Sequence, residues 1–222
     1  MTGAAQWLNT VFAGMDSAMF TFVNSMANDF WTFLAKCMDI LGYKGLFFIA
    51  AGLILCCFVK TRKIGVCVLI SIAFGGLFTN LILKDAIARP RPYTNPEYQG
   101  FWYAVGAIEQ SKNSFPSGHT TTAAATAMAF LLIGKKKWSW ALIPVALFMG
   151  FTRIYLIAHY TSDVLGGLIV GAVCGTLAFF ATNGIYILFE KYNQNKLCAF
   201  ILNKNVWEIF KKKQVEKNEE NK

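Results

Sequence analysis

A chain of 222 residues, 55% of them hydrophobic, with a mean hydropathy of +0.44, is too apolar for an ordinary soluble domain. The formal charge of +9 would suit nucleic acid, but the basic residues are scattered between apolar segments and no nucleic-acid motif accompanies them. Six cysteines, four of them inside apolar runs (Cys56, Cys57, Cys67 and Cys174), form no CxxC pair and no Cys/His ligand cluster, so they read as small hydrophobes and not as a disulfide framework.

Along the chain, residues 1–43 mix apolar side chains with Asn, Asp and Ser at helix-like intervals, which suits helices lying in the membrane interface. They lack the basic start and continuous apolar stretch of a cleavable signal peptide, so the first span is expected to do the targeting. Two apolar runs, 45–59 and 119–134, are short for a crossing, whereas 64–83, 138–158 and 164–189 approach the roughly 20 residues a spanning helix needs. The pattern predicts an all-α fold, a polytopic membrane helix bundle of about five transmembrane helices, or six if the N-terminal region also crosses. Residues 44–190 would form its membrane core and 191–222 a basic tail, with 197–213 reading as an amphipathic surface helix.

Lys60, Arg62 and Lys63, then Lys135, Lys136 and Lys137, fall on one side with the tail, and the positive-inside rule makes that side the cytoplasm. Lys84, Arg89, Arg91, Lys112 and Arg153 on the opposite side nearly balance them, and mislead about topology if they belong to a binding site. The expectation is a multi-pass cell-membrane protein with its N-terminus and its site outside and its C-terminus inside.

Three stretches share that outer side: KDAIARPRPY from Lys84, PSGH from Pro116 to His119, and TRIYLIAHYTSDVLGG from Thr152. Together they hold Lys84, Arg91, Arg153 and Asp163 with the chain's only two histidines, His119 and His159. Charged residues at membrane helix ends usually mark a site. Converging cations call for an anion, and the arginine fork suits phosphate oxygens. His159 and Asp163 are four apart, so a helix would put them on one face, where the carboxylate holds one ring N–H and leaves the other nitrogen free as a nucleophile. His119 can protonate a departing oxygen. Ser117 and Gly118 would open a helix whose unpaired amides bind phosphate, with glycine allowing close approach.

In order and internal spacing, Lys84 with Arg91-Pro92, Pro116-Ser117-Gly118-His119, and Arg153 with His159 and Asp163 resemble the three signatures of the phosphatidic acid phosphatase type 2 family. One departure is Thr152, where the family usually has serine, and it keeps the hydroxyl. The resemblance implies a metal-independent membrane phosphatase without a cofactor, in which His159 becomes a phosphohistidine and Asp163 orients it. His119 would act as general acid and then assist water. Lys84, Arg91, Arg153, Ser117 and the Gly118 amide would hold the phosphate oxygens, with no metal ligand. It also implies a lipid phosphate substrate met in the bilayer. Undecaprenyl diphosphate is the leading expectation, ahead of phosphatidylglycerophosphate and phosphatidic acid. A lipid phosphotransferase, a vanadium haloperoxidase-like enzyme and a non-catalytic membrane binding protein are the other readings.

Taken singly, either histidine would read as a polar cap, and Asp163 as a helix cap. Only their conjunction argues for chemistry. Arg89 falls outside the matched spacing and reads as a headgroup or solvent contact. The aromatic group Tyr93, Tyr98, Phe101, Trp102 and Tyr103 suits a lid and an interface belt equally. Gly167, Gly171 and Gly175 recur every four residues and predict a close packing face inside the bundle.

Overall fold

The computed structural model describes residues 1–110, 113–135 and 137–208. Lys112, Lys136 and the chain from 209 onward, the last part of the expected tail, lie outside the described residues. Apart from one isolated bridge, Pro90 to Asn113, the ordered elements among the described residues are helices. They are α1 (Gly3–Val11), α2 (Ala13–Ser25), α3 (Asp29–Gly42), α4 (Leu46–Cys57), α5 (Val59–Gly76), α6 (Lys84–Ile87), α7 (Pro96–Val105), α8 (Gly118–Ala129), α9 (Leu142–Tyr155), α10 (Thr161–Lys191) and α11 (Lys196–Asn203). Wider π-helical turns carry α5 into α6 through Leu77–Leu83 and extend α8 through Phe130–Gly134.

The protein is a polytopic membrane helix bundle. Residues 29–57, 59–87 and 161–191 are long and apolar enough to cross a bilayer. Leu165, Ile169, Val173, Leu177 and Phe180 make an exposed apolar stripe down α10, as a lipid-facing helix requires. The first of the three stretches is not one straight helix. Lys44 and Gly45 both take left-handed backbone angles, φ 50° and 70°, and break it between α3 and α4. By itself α4 has 12 residues, about 18 Å at 1.5 Å per residue, well short of a hydrocarbon core of roughly 30 Å.

Helix α8 is the axis of the bundle because its side chains are small. Thr120, Thr121, Ala123, Ala124, Ala125 and Ala127 are all buried, with α5, α9 and α10 packed around them. The three glycines expected to form a packing face do meet α8. A Cβ on Gly171 would lie 2.5 Å from the Thr121 carbonyl oxygen, and one on Gly175 would lie 2.9 Å from that of Ala125. Without side chains at these positions the two backbones pack in contact, which is how membrane helices associate when burial from water contributes little.

Because α5, α8, α9 and α10 alternate in direction, the bundle has two ends. One gathers Ile87–Arg91, Ser114–His119 and Arg153–Asp163. The other gathers the α4–α5 turn, the end of the α8 extension at Gly134 and the end of α10. At this second end the chain after α10 folds back instead of leaving the bundle. The Arg62 guanidinium, 6% exposed, donates to the carbonyl oxygens of Ile201 and, at 2.8 Å, Lys204, while Val206 N–H donates to Cys57 O at 3.1 Å. Arg62 therefore caps the last turn of α11 and is not a free loop charge.

Candidate active site

A cavity of about 470 Å³ opens at the first end of the bundle. Of the residues singled out from sequence, Lys84, Arg91, Gly118, His119 and His159 line it. Ser117, Arg153 and Asp163 are fully buried beside it and are not among its lining residues.

His159 reaches the cavity through a tight chain reversal. After α9 ends at Tyr155, the N–H groups of Ala158 and His159 both return to the Arg153 carbonyl, at 3.1 and 3.3 Å. Ile157 at the turn has φ 53°, a strained angle for a β-branched residue, and it is held there by complete burial. His159 thus precedes α10 and does not lie on it, unlike the helical arrangement the four-residue spacing suggests. Asp163 still faces the ring because it occupies the third position of α10. There its Oδ2 accepts from Tyr160 N–H at 2.9 Å and closes a capping box. The distance from Asp163 Oδ2 to His159 Nδ1 is 3.5 Å, at the far edge of hydrogen bonding.

The ring's other nitrogen, Nε2, lies 3.1 Å from Arg91 Nη1, which also donates to Ala158 O at 2.8 Å. Arg91 is 2% exposed, and burial brings its guanidinium down to about 10, still protonated at neutral pH. Burial, followed by the charges of Arg91, Arg153 and Lys84, pushes His159 well below the usual imidazole range of 6.5. A ring in that state is neutral at pH 7. In the tautomer with hydrogen on Nδ1, the side facing Asp163, the lone pair is on Nε2 and faces Arg91.

At the start of α8, Ser117 N–H donates to Asp163 O at 3.1 Å, and its hydroxyl accepts from Thr120 Oγ1 at 2.9 Å. The Ser117 main chain therefore joins the two motifs, while its hydroxyl is engaged within the first turn of α8 in this geometry. A methyl on Gly118 would come no closer than 3.9 Å to any protein atom it could strike, so it would fill cavity space.

The sequence region 64–186 matches the family model of the PAP2 superfamily. The chain belongs to the PAP2 superfamily. Among curated members, it is 41% identical to lipid A 1-phosphatase of Rhizobium johnstonii over 109 residues, which is 49% of this chain and 44% of that protein. It is 36% identical to undecaprenyl-diphosphatase BcrC of Bacillus subtilis over 105 residues, 47% of this chain and 51% of that one. The chain spans about half the length of the curated relatives it matches. The crystal structure of the transmembrane PAP2-type phosphatidylglycerolphosphate phosphatase from Bacillus subtilis superposes with a TM-score of 0.61, covering 82% of this chain and 90% of that one at 24% identity.

Three residues next to the PAP2 motifs were not assigned to the site from sequence. Arg89, expected at a headgroup or in solvent, is 1% exposed. Its Nη1 contacts Asp163 Oδ1 at 2.6 Å and its Nη2 contacts Asp16 Oδ2 at 2.9 Å, while Tyr160 stacks on the guanidinium at 3.8 Å. Asp16, from α2, also accepts from Ser162 N–H at 2.9 Å. Asp39, from α3, pairs with both His119 and Arg153. The carboxylates of Asp16 and Asp39 lie in the segment read as interfacial helices, where an acid looks like part of a polar face. The signal that could have found Arg89's role is its place in sequence between Lys84 and Arg91.

Proposed function

We propose that this chain is a membrane lipid phosphatase that works through a phosphohistidine on His159. The observation that carries this reading is the single cavity shared by His159, His119, Lys84 and Arg91 at one end of a membrane bundle. Phosphoryl transfer spreads charge over three equatorial oxygens, so catalysis is mainly positioning and charge stabilisation. Lys84, Arg91 and Arg153, with the Gly118 amide at the start of α8, supply that charge.

In the proposed reaction, neutral His159 Nε2 attacks phosphorus as Arg91 swings from the nitrogen to a phosphate oxygen. Asp163, fixed by Arg89, stabilises the proton on Nδ1 as the ring gains charge. His119 gives a proton to the leaving oxygen, then takes one from the water that cleaves the P–N bond. Free phosphate leaves and both histidines return to their starting states. Among the described residues no cluster of three or more His, Cys, Asp or Glu side chains stands ready as a metal site. Lys84, Arg91 and Arg153 supply the positive charge in this reaction.

The phosphate is proposed to be carried on a bilayer lipid, since the cavity lies at the end of helices that face lipid. Undecaprenyl diphosphate is the expectation from sequence. The relatives add lipid A 1-phosphate, because two lipid A 1-phosphatases from Rhizobium align at 41% and 38% identity. Purified protein in detergent with chelator, offered both substrates with phosphatidylglycerophosphate and phosphatidic acid, should release phosphate from at least one. His159→Ala should abolish release, and His119→Ala should slow it by roughly 10²–10⁴. Normal turnover by His159→Ala would overturn the phosphohistidine, and inactivation by chelator would overturn the metal-free reaction. The proposed orientation puts the cavity on the extracytoplasmic side and the C-terminus in the cytoplasm.

A further inference from the structure

His119 has a carboxylate partner from outside the motifs. Its Nε2 lies 3.3 Å from Asp39 Oδ1 and 3.3 Å from the Asp39 main-chain oxygen. The same Oδ1 bonds Arg153 Nη1, so the carboxylate is itself held in place. Arg153 is wholly buried, which leaves Asp39 little freedom to follow another partner. One turn further along α3, Gly42 packs against the Cδ2 edge of the same ring. A Cβ at that position would overlap His119 Cδ2 and stand 3.0 Å from Cγ and Nε2. The final turn of α3 thus grips the imidazole by a charge, by a carbonyl and by shape.

This contact has a chemical consequence. Both groups facing Nε2, a carboxylate and a carbonyl oxygen, only accept hydrogen bonds, so Nε2 must carry hydrogen in the neutral ring as well as in the cation. The proton that His119 gives and takes is then the one on Nδ1. We infer that Asp39 is the positioning residue of the general acid, fixing His119 as the Nε2–H tautomer and balancing the imidazolium that donates from Nδ1. The inference rests on the proposed role of His119. On it, each histidine has its own aspartate, Asp163 for His159 and Asp39 for His119. Asp39 lies outside the region that matches the family model, which begins at residue 64.

General-acid help matters when the leaving group is a poor one and is nearly redundant when it departs readily as an anion. Full-length protein in detergent should therefore be compared on short-chain phosphatidic acid, an alkyl phosphate, and on p-nitrophenyl phosphate. Asp39→Asn keeps the shape and removes the charge. It should cut kcat for the alkyl substrate by roughly 10²-fold, within the range of acid–base contributions, and that for the aryl substrate by no more than about threefold. Asp39→Glu, which keeps the carboxylate, should recover much of the alkyl rate. Gly42→Ala, which displaces the ring, should lower the alkyl-to-aryl ratio as Asp39→Asn does, and supplies the comparison if Asp39→Asn does not fold. Equal losses on both substrates would overturn the inference in favour of a purely structural Asp39. An unchanged ratio with tighter inhibition by inorganic phosphate would overturn it too, making Asp39 a competing anion on Arg153. If wild-type protein hydrolyses neither substrate nor any lipid phosphate, it is the phosphatase reading that fails.

Discussion

Burial does two things to His159 at once: it keeps the ring neutral and ties protein stability to pH. The folded ring resists protonation well below 6.5, while the same ring in the unfolded chain takes a proton near 6.5. Below that value the unfolded state binds more protons, so stability falls as pH falls through 6.5, by up to about 1.4 kcal/mol per pH unit until the folded ring itself titrates. The thermal midpoint in detergent should therefore drop further between pH 7.5 and 5.5 for wild type than for His159→Asn. Parallel curves would mean that the ring is not held neutral. At this scale the sequence was most informative where residues are close along the chain. The gaps between Lys84 and Arg91, and between Arg153, His159 and Asp163, follow from local backbone geometry and can be read as spacing. Asp39 and Asp16 reach Arg153 and Arg89 across 114 and 73 positions, and no local pattern records such a pairing.

Among the elements, the α8–α10 seam sets the bundle's dimensions. Gly171 and Gly184 belong to the same helix but meet different surroundings. A methyl at Gly171 would lie 2.5 Å from Thr121 O and 2.6 Å from Ala124 Cβ, while one at Gly184 meets nothing within 4 Å. Gly171→Ala must push two backbones apart and should cost about 1–3 kcal/mol, the usual range for overpacking. Gly184→Ala relieves a flexible position in a helix interior and should gain roughly 0.5–1 kcal/mol. Thermal unfolding in detergent distinguishes the two, and equal effects would show that the seam is looser than these distances. The four-residue glycine repeat announced this seam because small residues on one helical face have few other uses in a membrane. The sequence also divides near Lys44 and Gly45, where residues 1–43 read as interfacial helices and an apolar run starts at 45, but it does not announce the two left-handed angles. Lysine seldom adopts a left-handed angle, so Lys44 gives no local signal of one.

Over the whole molecule, charge is sorted by end. Lys84, Arg89, Arg91 and Arg153 are engaged in or beside the cavity, so they carry little topological information, whereas Lys135 is exposed at the opposite end. With the native cysteines replaced, Glu109→Cys at the exposed rim of the cavity should react with an impermeant maleimide on intact cells. Lys135→Cys should react only after permeabilisation. The reverse pattern would turn the protein over in the membrane. The alternation of apolar runs made the two-ended bundle legible before any coordinates. The return of α11 to Arg62 was not legible, because an apolar-basic segment after the last span reads as a helix on the membrane surface and not as a partner for a distant arginine.

The ion pairs of the site also say where this protein can be divided. Three carboxylates, Asp16, Asp39 and Asp163, balance the arginines around the cavity, and two of them precede the region that similarity to other proteins picks out. A fragment cut at residue 64 would keep every motif residue, leave Arg89 with Asp163 but without Asp16, and take Asp39 from Arg153. Such a fragment would carry uncompensated buried charge at its most crowded point, where breaking a pair typically costs roughly 3–5 kcal/mol. The unit that can be expressed, crystallised or grafted as a working module therefore begins before Asp16, and a boundary drawn from sequence similarity would cut through its electrostatic centre.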